Sequence, residues 1–320
     1  MAGWASRQYE GSQEFHLLSD LVQGKATLRA AVEDIVKLTC EAVLTADEDD
    51  QEALRIHFGR LWSSVYEVAA RTPPSGQAPL VGFMFELRQW EIPEPESEVL
   101  VRYHWHDQVR IWTDLPSIGI NMRDICDGGK IQYMLPRFCL CPRAIVDTLP
   151  TDICFDLTAT PVEQRRTENR IAFLAQFWAA SPQDVLECII DLATYSLWTF
   201  REAFECSPEP GAKSPAAIRG VCMWIVYAAD RLWWNVTKER SLIENCGVHD
   251  RETKLLRRAI GVKRFDSFNR ARWDYWIGVL EQWRDGKGDP STAALVERAM
   301  LEVERVMDQG WRIREPERYA

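Results

Sequence analysis

The chain has 320 residues, 46% of them hydrophobic and 27% charged, with 38 Lys and Arg against 48 Asp and Glu. That is the composition of a soluble globular protein with enough chain for a sizeable core. The formal net charge of −10 argues against a nucleic-acid binder that works by neutralising phosphates and against a polybasic reader of membrane surfaces.

No apolar leader follows Met1-Ala2-Gly3-Trp4, and the longest apolar run, 221–229, is too short to cross a bilayer. A cytoplasmic protein with no membrane insertion and no nucleic-acid partner is expected; its oligomeric state is not written in the sequence. The 14 Trp are the one abnormal count.

Helical periodicity dominates from the start. Segments 28–44, 53–70 and 80–90 predict helices, with the acidic run Asp47-Glu48-Asp49-Asp50 between the first two. The apolar flanks of His104-Trp105-His106-Asp107 (Val99, Leu100, Tyr103, Val109, Trp112) favour a helix there as well. Segment 119–150 is irregular, broken by Asp127-Gly128-Gly129, Pro136, Pro142 and Pro150. It is a candidate divide between two helical halves.

Four helix starts are then spelled out. Thr160-Pro161-Val162-Glu163 puts a capping hydroxyl before a Pro and a Glu at the third helical position, where its carboxylate reaches back to a free backbone donor. Ser181-Pro182, Ser214-Pro215 and Asp289-Pro290 repeat the device. Pro is tolerated at the first helical position because that amide has no intrahelical partner.

Apolar rows follow each cap. After Ser181 come Val185, Leu186, Ile189, Ile190, Ala193, Leu197, Phe200 and Phe204. Phe268, Tyr275, Trp276, Val279 and Trp283 predict one face of a helix over 268–283, and Val296, Met300, Val303 and Met307 one row of the last helix. No stretch alternates strictly between turns, so a large sheet is not expected. The sequence reads as an all-α protein: a multi-helix single domain over 1–320 around a buried central helix near 216–236.

The nine Cys are scattered, and Cys139-Leu140-Cys141 has neither redox nor zinc spacing. All are expected as free thiols. His104 and His106 would point to different sides of a helix, and His16, His57 and His249 supply no third ligand. No metal and no cofactor are therefore expected. The run 47–50 invites comparison with helical terpene cyclases that hold magnesium on an Asp-rich helix. Asn235-Val236-Thr237-Lys238-Glu239 lacks the spacing of their second motif, and no cluster of cations is present for a diphosphate, so that reading fails. No Walker loop, dinucleotide fingerprint or nucleophile elbow occurs.

The segment Arg264-Phe265-Asp266-Ser267-Phe268-Asn269-Arg270-Ala271-Arg272-Trp273-Asp274-Tyr275-Trp276 resembles the signature of a fungal family of all-helical proteins of unknown function, which carries a Gly-Phe-Ser-x-x-Arg-Trp-x-x-Trp-like element and then a Met-rich helix. Arg272-Trp273 and Trp276 match the element, and Ala299-Met300 with Met307 match the tail. The stretch from Tyr195 through Trp198 to Glu205, together with Leu61-Trp62 and Trp112-Thr113-Asp114-Leu115-Pro116, is similar to other parts of that family. Asp266-Ser267-Phe268 departs from the Gly-Phe-Ser pattern, and 126–158 has no counterpart. The resemblance implies an all-helical fold and a fungal source, and is nearly silent on chemistry.

The informative helix is 216–235. Ile218, Val221, Cys222, Ile225, Ala228, Ala229 and Leu232 form its core stripe, and Trp224, Tyr227, Arg231 and Trp234 a second stripe of large groups. A helix that is apolar on nearly all sides is buried on nearly all sides. The second stripe either packs on neighbours or lines a cavity with Tyr195, Trp198, Trp273 and Trp276. In the sharper reading Arg231 and Tyr227 are catalytic and Tyr195, Trp198, Trp224, Trp234, Trp273 and Trp276 hold the substrate.

That reading predicts a cofactor-independent enzyme of fungal specialised metabolism. It would promote cyclisation or isomerisation, in the sharpest case a Diels–Alder reaction, of an apolar terpenoid- or polyketide-like molecule. Shape alone can select a reactive conformer, and one donor can polarise a carbonyl. The competing reading is a non-catalytic helical protein that binds a ligand or another protein, with its Trp as core.

Overall fold

The computed structural model describes residues 9–45, 52–90, 102–103, 109–112, 115, 118, 160–181, 192–205, 214–242, 267–287 and 289–310. The chain divides into two compact units. The first comprises Met1–Tyr133 with Cys188–Ile190 and Arg318–Ala320; the second comprises Met134–Glu187 with Asp191–Glu317. The main division falls inside the irregular segment 119–150.

Among the described residues of the first unit, α1 (Gln13–Val22), α2 (Leu28–Thr45), α3 (Glu52–Arg71) and α4 (Ala78–Leu87) pack together. Ser12 caps α1 by accepting from the Phe15 amide at 3.2 Å, and Thr27 accepts from the Ala30 amide at 3.2 Å to start α2. Between them Gly24 takes a positive φ of 70°, which a side chain would strain. At the end of α3 the Gln77 amide donates to the Ala69 and Thr72 carbonyls, each at 3.0 Å, satisfying groups the helix leaves open. The helices expected at 28–44, 53–70 and 80–90 are α2, α3 and α4.

The helix expected across Tyr103 and Val109 is not there. Arg102 pairs antiparallel with Arg110, and Tyr103 with Val109, in a two-stranded ribbon. The β-branched and aromatic residues that looked like a helix face suit extended backbone equally well, and a stretch this short carries no decisive period. His104 and His106 lie outside the described residues, as do Asp47-Glu48-Asp49-Asp50, Cys139 and Cys141.

The second unit holds α5 (Pro161–Ala180), α6 (Leu192–Phe204), α7 (Pro215–Thr237), α8 (Arg270–Gln282) and α9 (Pro290–Gln309). Three starts expected from Pro at the first helical position carry their caps. Thr160 and Glu163 form the reciprocal box. Ser214 accepts from the Ala216 amide at 3.2 Å, and Asp289 accepts from the Ser291 and Thr292 amides at 3.0 and 3.1 Å. The helix start at Ser181 runs into 182–191, outside the described residues. Ser181 ends α5 and returns its hydroxyl to the Phe177 carbonyl at 2.5 Å.

α7 packs on α5, α6, α8 and α9, and its whole expected core stripe is buried. Contacts with α5 march in one direction, Glu168 with Arg219, Trp178 with Trp224 and Ser181 with Arg231, so the two helices run parallel. Ser291 with Arg219, Arg298 with Tyr227 and Arg305 with Asp230 make α9 parallel to α7 too. Parallel neighbours need long returns, and α6 and α8 occupy them.

Two rows expected from the sequence are adjusted. Phe268 precedes α8, whose cap is Asn269 accepting from the Arg272 amide at 2.9 Å. In α9 the buried row is Val296, Ala299, Met300, Val303 and Val306, while Met307 is exposed at the fraying end. Of the expected free thiols, the described Cys40 and Cys222 are unpaired, and burial pushes the Cys222 thiol up to about 12.

Asp289→Ala should cost about 1 kcal/mol, the usual value of such a cap. Hydrogen bonds from Thr292 and Ser291 hold the Asp289 carboxyl well below the usual aspartate range. A depressed carboxylate contributes stability that is fully present above its unfolded value and lost as pH falls through the folded one. The gap in melting temperature between wild type and Asp289→Ala should therefore close as pH falls below about 4. Paired thermal melts between pH 7 and pH 2 check this; a constant gap contradicts it.

Candidate functional site

The expected aromatic stripe of α7 is spread over three neighbours. Trp224 is fully buried. Its indole N–H donates to the Thr199 hydroxyl of α6 at 3.1 Å, and its ring meets Trp178 of α5 edge-on at 5.9 Å. Tyr227 is half-buried, with the Arg298 guanidinium of α9 5.6 Å from its ring centre. Arg231 is buried and its guanidinium donates to the Ser181 carbonyl at the end of α5. Trp234 is half-buried.

The backbone sets Arg231 and Trp234 apart from Trp224 and Tyr227. At Ala228 α7 leaves helical geometry, with φ −134° and ψ 26°. The spacing i, i+3, i+7 keeps residues on one face only while the helix turns regularly, and this kink lies between Tyr227 and Arg231.

Trp273 and Trp276 on α8 are fully buried. Trp276 lies 4.7 Å from Phe200 and 6.3 Å edge-on to Phe268. Trp273 lies 5.7 Å from Trp233 of α7, and its indole N–H has no hydrogen-bond partner among the described residues. On α6, Tyr195 is buried and packs edge-on at 5.2 Å against the half-buried Trp198.

The strongest electrostatic feature escaped the sequence reading. Glu205, just past α6, and Arg272 on α8 are both buried completely. They form a two-pronged pair with both bonds at 2.6 Å. Arg272 also donates to the Ser267 carbonyl at 2.7 Å, and Trp276 donates its N–H to Glu205 at 2.9 Å. Burial pushes the Glu205 carboxyl up, but Arg272, Arg201 and Trp276 outweigh it and hold it below the usual range. Charges taken from water persist only when paired and hydrogen-bonded in this way. Arg272 was legible only as part of an Arg-Trp element, and nothing local ties it to a Glu 67 residues away.

The half-buried aromatic members of the stripe are Tyr227, with Arg298 beside its ring, and Trp234, seven residues on and beyond the kink. The nearby Arg305 is matched by Asp230 at 2.6 and 3.1 Å and by Glu302 at 2.7 Å. Tyr227 and Arg298 together offer an aromatic face and a guanidinium. Among the described residues no three His, Cys, Asp or Glu converge on a possible metal position.

Arg231→Met removes a charged donor from a buried carbonyl, which should cost about 1.5–3 kcal/mol. Loss of the Glu205 partner is worse: Arg272→Met should cost about 3–5 kcal/mol, because it strands a buried carboxylate. Denaturant unfolding of both variants checks the ranking, and equal losses would contradict it.

No curated protein and no solved structure matches the chain. No helix among the described residues is long and apolar enough to cross a membrane. Residues 62–280 match the model of a family described as a protein of unknown function, DUF3632. That span begins in α3 of the first unit, takes in the Arg272-Trp273-x-x-Trp276 element and α7, and ends in α8; the chain belongs to the DUF3632 family.

Proposed function

We propose that the chain binds a small apolar molecule against α7 and that Tyr227 and Trp234 form the contact surface. The observation that carries this reading is the partition of the aromatic stripe. Trp224 and Arg231 are engaged by the fold itself, whereas Tyr227 and Trp234 keep part of their surface open. An aromatic side chain that is neither fully packed nor fully solvated supplies contact area at little cost in side-chain entropy. The ligand class is terpenoid- or polyketide-like, and the setting is the cytoplasm of a fungus making specialised metabolites.

The catalytic version of this reading has one observation in its favour. Arg231 lies on the same helix, about one turn along the chain from both Tyr227 and Trp234, with its guanidinium on the Ser181 carbonyl. In that version the protein is a cofactor-free cyclase or isomerase of Diels–Alder type. It folds the substrate against the aromatic faces, and a donor stabilises charge that develops on a carbonyl.

The fluorescent apolar anion 8-anilinonaphthalene-1-sulfonate serves as a probe. It should bind the full chain saturably. The double change Tyr227→Ala, Trp234→Ala should weaken binding roughly a hundredfold, the loss of about 1.4 kcal/mol at each of two aromatic contacts. Unchanged binding, with melting curves matching wild type, would remove this surface from consideration. Catalysis is separated by gene deletion in the native host followed by metabolite profiling. Accumulation of an uncyclised isomer of a lost product supports the enzyme. If Arg231→Met then restores the product at full rate per folded molecule, Arg231 is not catalytic.

A further inference from the structure

α9 carries two Arg on the edge it turns to α7, and the fold treats them differently. Arg305 holds two acids. Asp230 of α7 accepts two of its bonds, at 2.6 and 3.1 Å, and Glu302 accepts a third at 2.7 Å. Arg298, seven residues earlier, lies over the ring of Tyr227, 5.6 Å from its centre. Among the described residues it makes no hydrogen bond and no ion pair. The described guanidiniums of α7 and α8, those of Arg219, Arg231, Arg270 and Arg272, are all hydrogen-bonded to a protein oxygen.

The position of Glu302 makes the difference plain. It stands four residues after Arg298 and three before Arg305, so both lie within its reach along the helix. It pairs with Arg305. Asp230, the acid that α7 brings to this edge, pairs with Arg305 as well. Glu297 is the chain neighbour of Arg298, and adjacent residues of a helix do not face each other. In a chain with 48 acidic residues against 38 basic ones, this guanidinium has an aromatic face beside it and no acid.

Arg298 is exposed and Tyr227 half-buried; Leu301, three residues on from Arg298 along α9, is exposed as well. A guanidinium lying over a ring uses its flat face there and keeps its in-plane N–H donors for an acceptor. Those donors form a fork that matches a carboxylate through two parallel bonds.

We infer that Arg298 is the anion anchor of the ligand surface, and that the molecule bound against Tyr227 is an apolar acid. Its carboxylate takes the edge of the Arg298 guanidinium, and its skeleton lies on Tyr227 and Leu301. The inference rests on the ligand reading proposed above and narrows its class from apolar molecules in general to those that carry one carboxylate.

Two dyes that share their rings and differ by one charge test it. 8-Anilinonaphthalene-1-sulfonate is an anion, and N-phenyl-1-naphthylamine is its neutral counterpart. Both are titrated into the full chain and into Arg298→Gln. The change should weaken the anionic dye about fivefold, the upper end of what an exposed charge pair contributes, and leave the neutral dye unchanged. Decanoate should displace the anionic dye from wild type at lower concentration than decan-1-ol does, and the difference should shrink in Arg298→Gln. An equal loss for both dyes, or no loss for the anion, overturns the inference. The ligand reading survives that result if Tyr227→Ala, Trp234→Ala still weakens both dyes. It falls if the aromatic double change leaves both bound as in wild type, whatever Arg298→Gln does. Should Arg298→Gln fail to fold, wild type alone decides. Salt screens exposed charges, so raising it should weaken the anionic dye relative to the neutral one, and an equal response of the two overturns the inference.

Discussion

α7 has almost no face that water can occupy, and the second unit is arranged around that fact. Each apolar Å² left exposed on such a helix would cost about 25 cal/mol, so neighbours are required on several sides. α5 and α9 flank it in parallel, and α6 and α8 cover it further. Parallel flanking helices cannot be joined by short turns. The intervening helices thus serve twice, as covers and as return paths.

The buried pair of Glu205 and Arg272 depends on that arrangement. It forms where α6 and α8 meet, and it is tolerable because aromatic rings seal it and the pair is hydrogen-bonded further: Ser267 takes one guanidinium bond, and Trp276 gives its N–H to Glu205. A pair of this kind contributes little net stability against an apolar replacement, yet breaking it is costly. Its consequence is specificity of docking, since a shift of either helix strands two charges. In the first unit the hydrogen-bonded chain of Glu14, His57 and Thr39 likewise joins α1, α3 and α2 through buried polar groups.

The proposed function rests on what remains after the fold has used its polar groups. Trp224, Trp276 and Arg231 spend their donors internally. The members of the stripe that stay half-buried are Tyr227, beside Arg298, and Trp234. Membership of the DUF3632 family fixes the kinship of 62–280 and leaves the chemistry to be read from those side chains.

Much of the helical framework was legible in the sequence because it is set locally. Pro after Thr160, Ser214 and Asp289 fixes a start through sterics and a missing amide, and the core stripe of α7 is a property of spacing along one helix. The ribbon at 102–103 and 109–110 was misread because a four-residue signal holds no period. The kink at Ala228, the reach of Arg231 to Ser181, and the pairing of Glu205 with Arg272 and of Glu14 with His57 were decided by tertiary structure alone. Each joins groups far apart in the chain or bends a helix against its neighbours, and one-dimensional spacing carries no information about either.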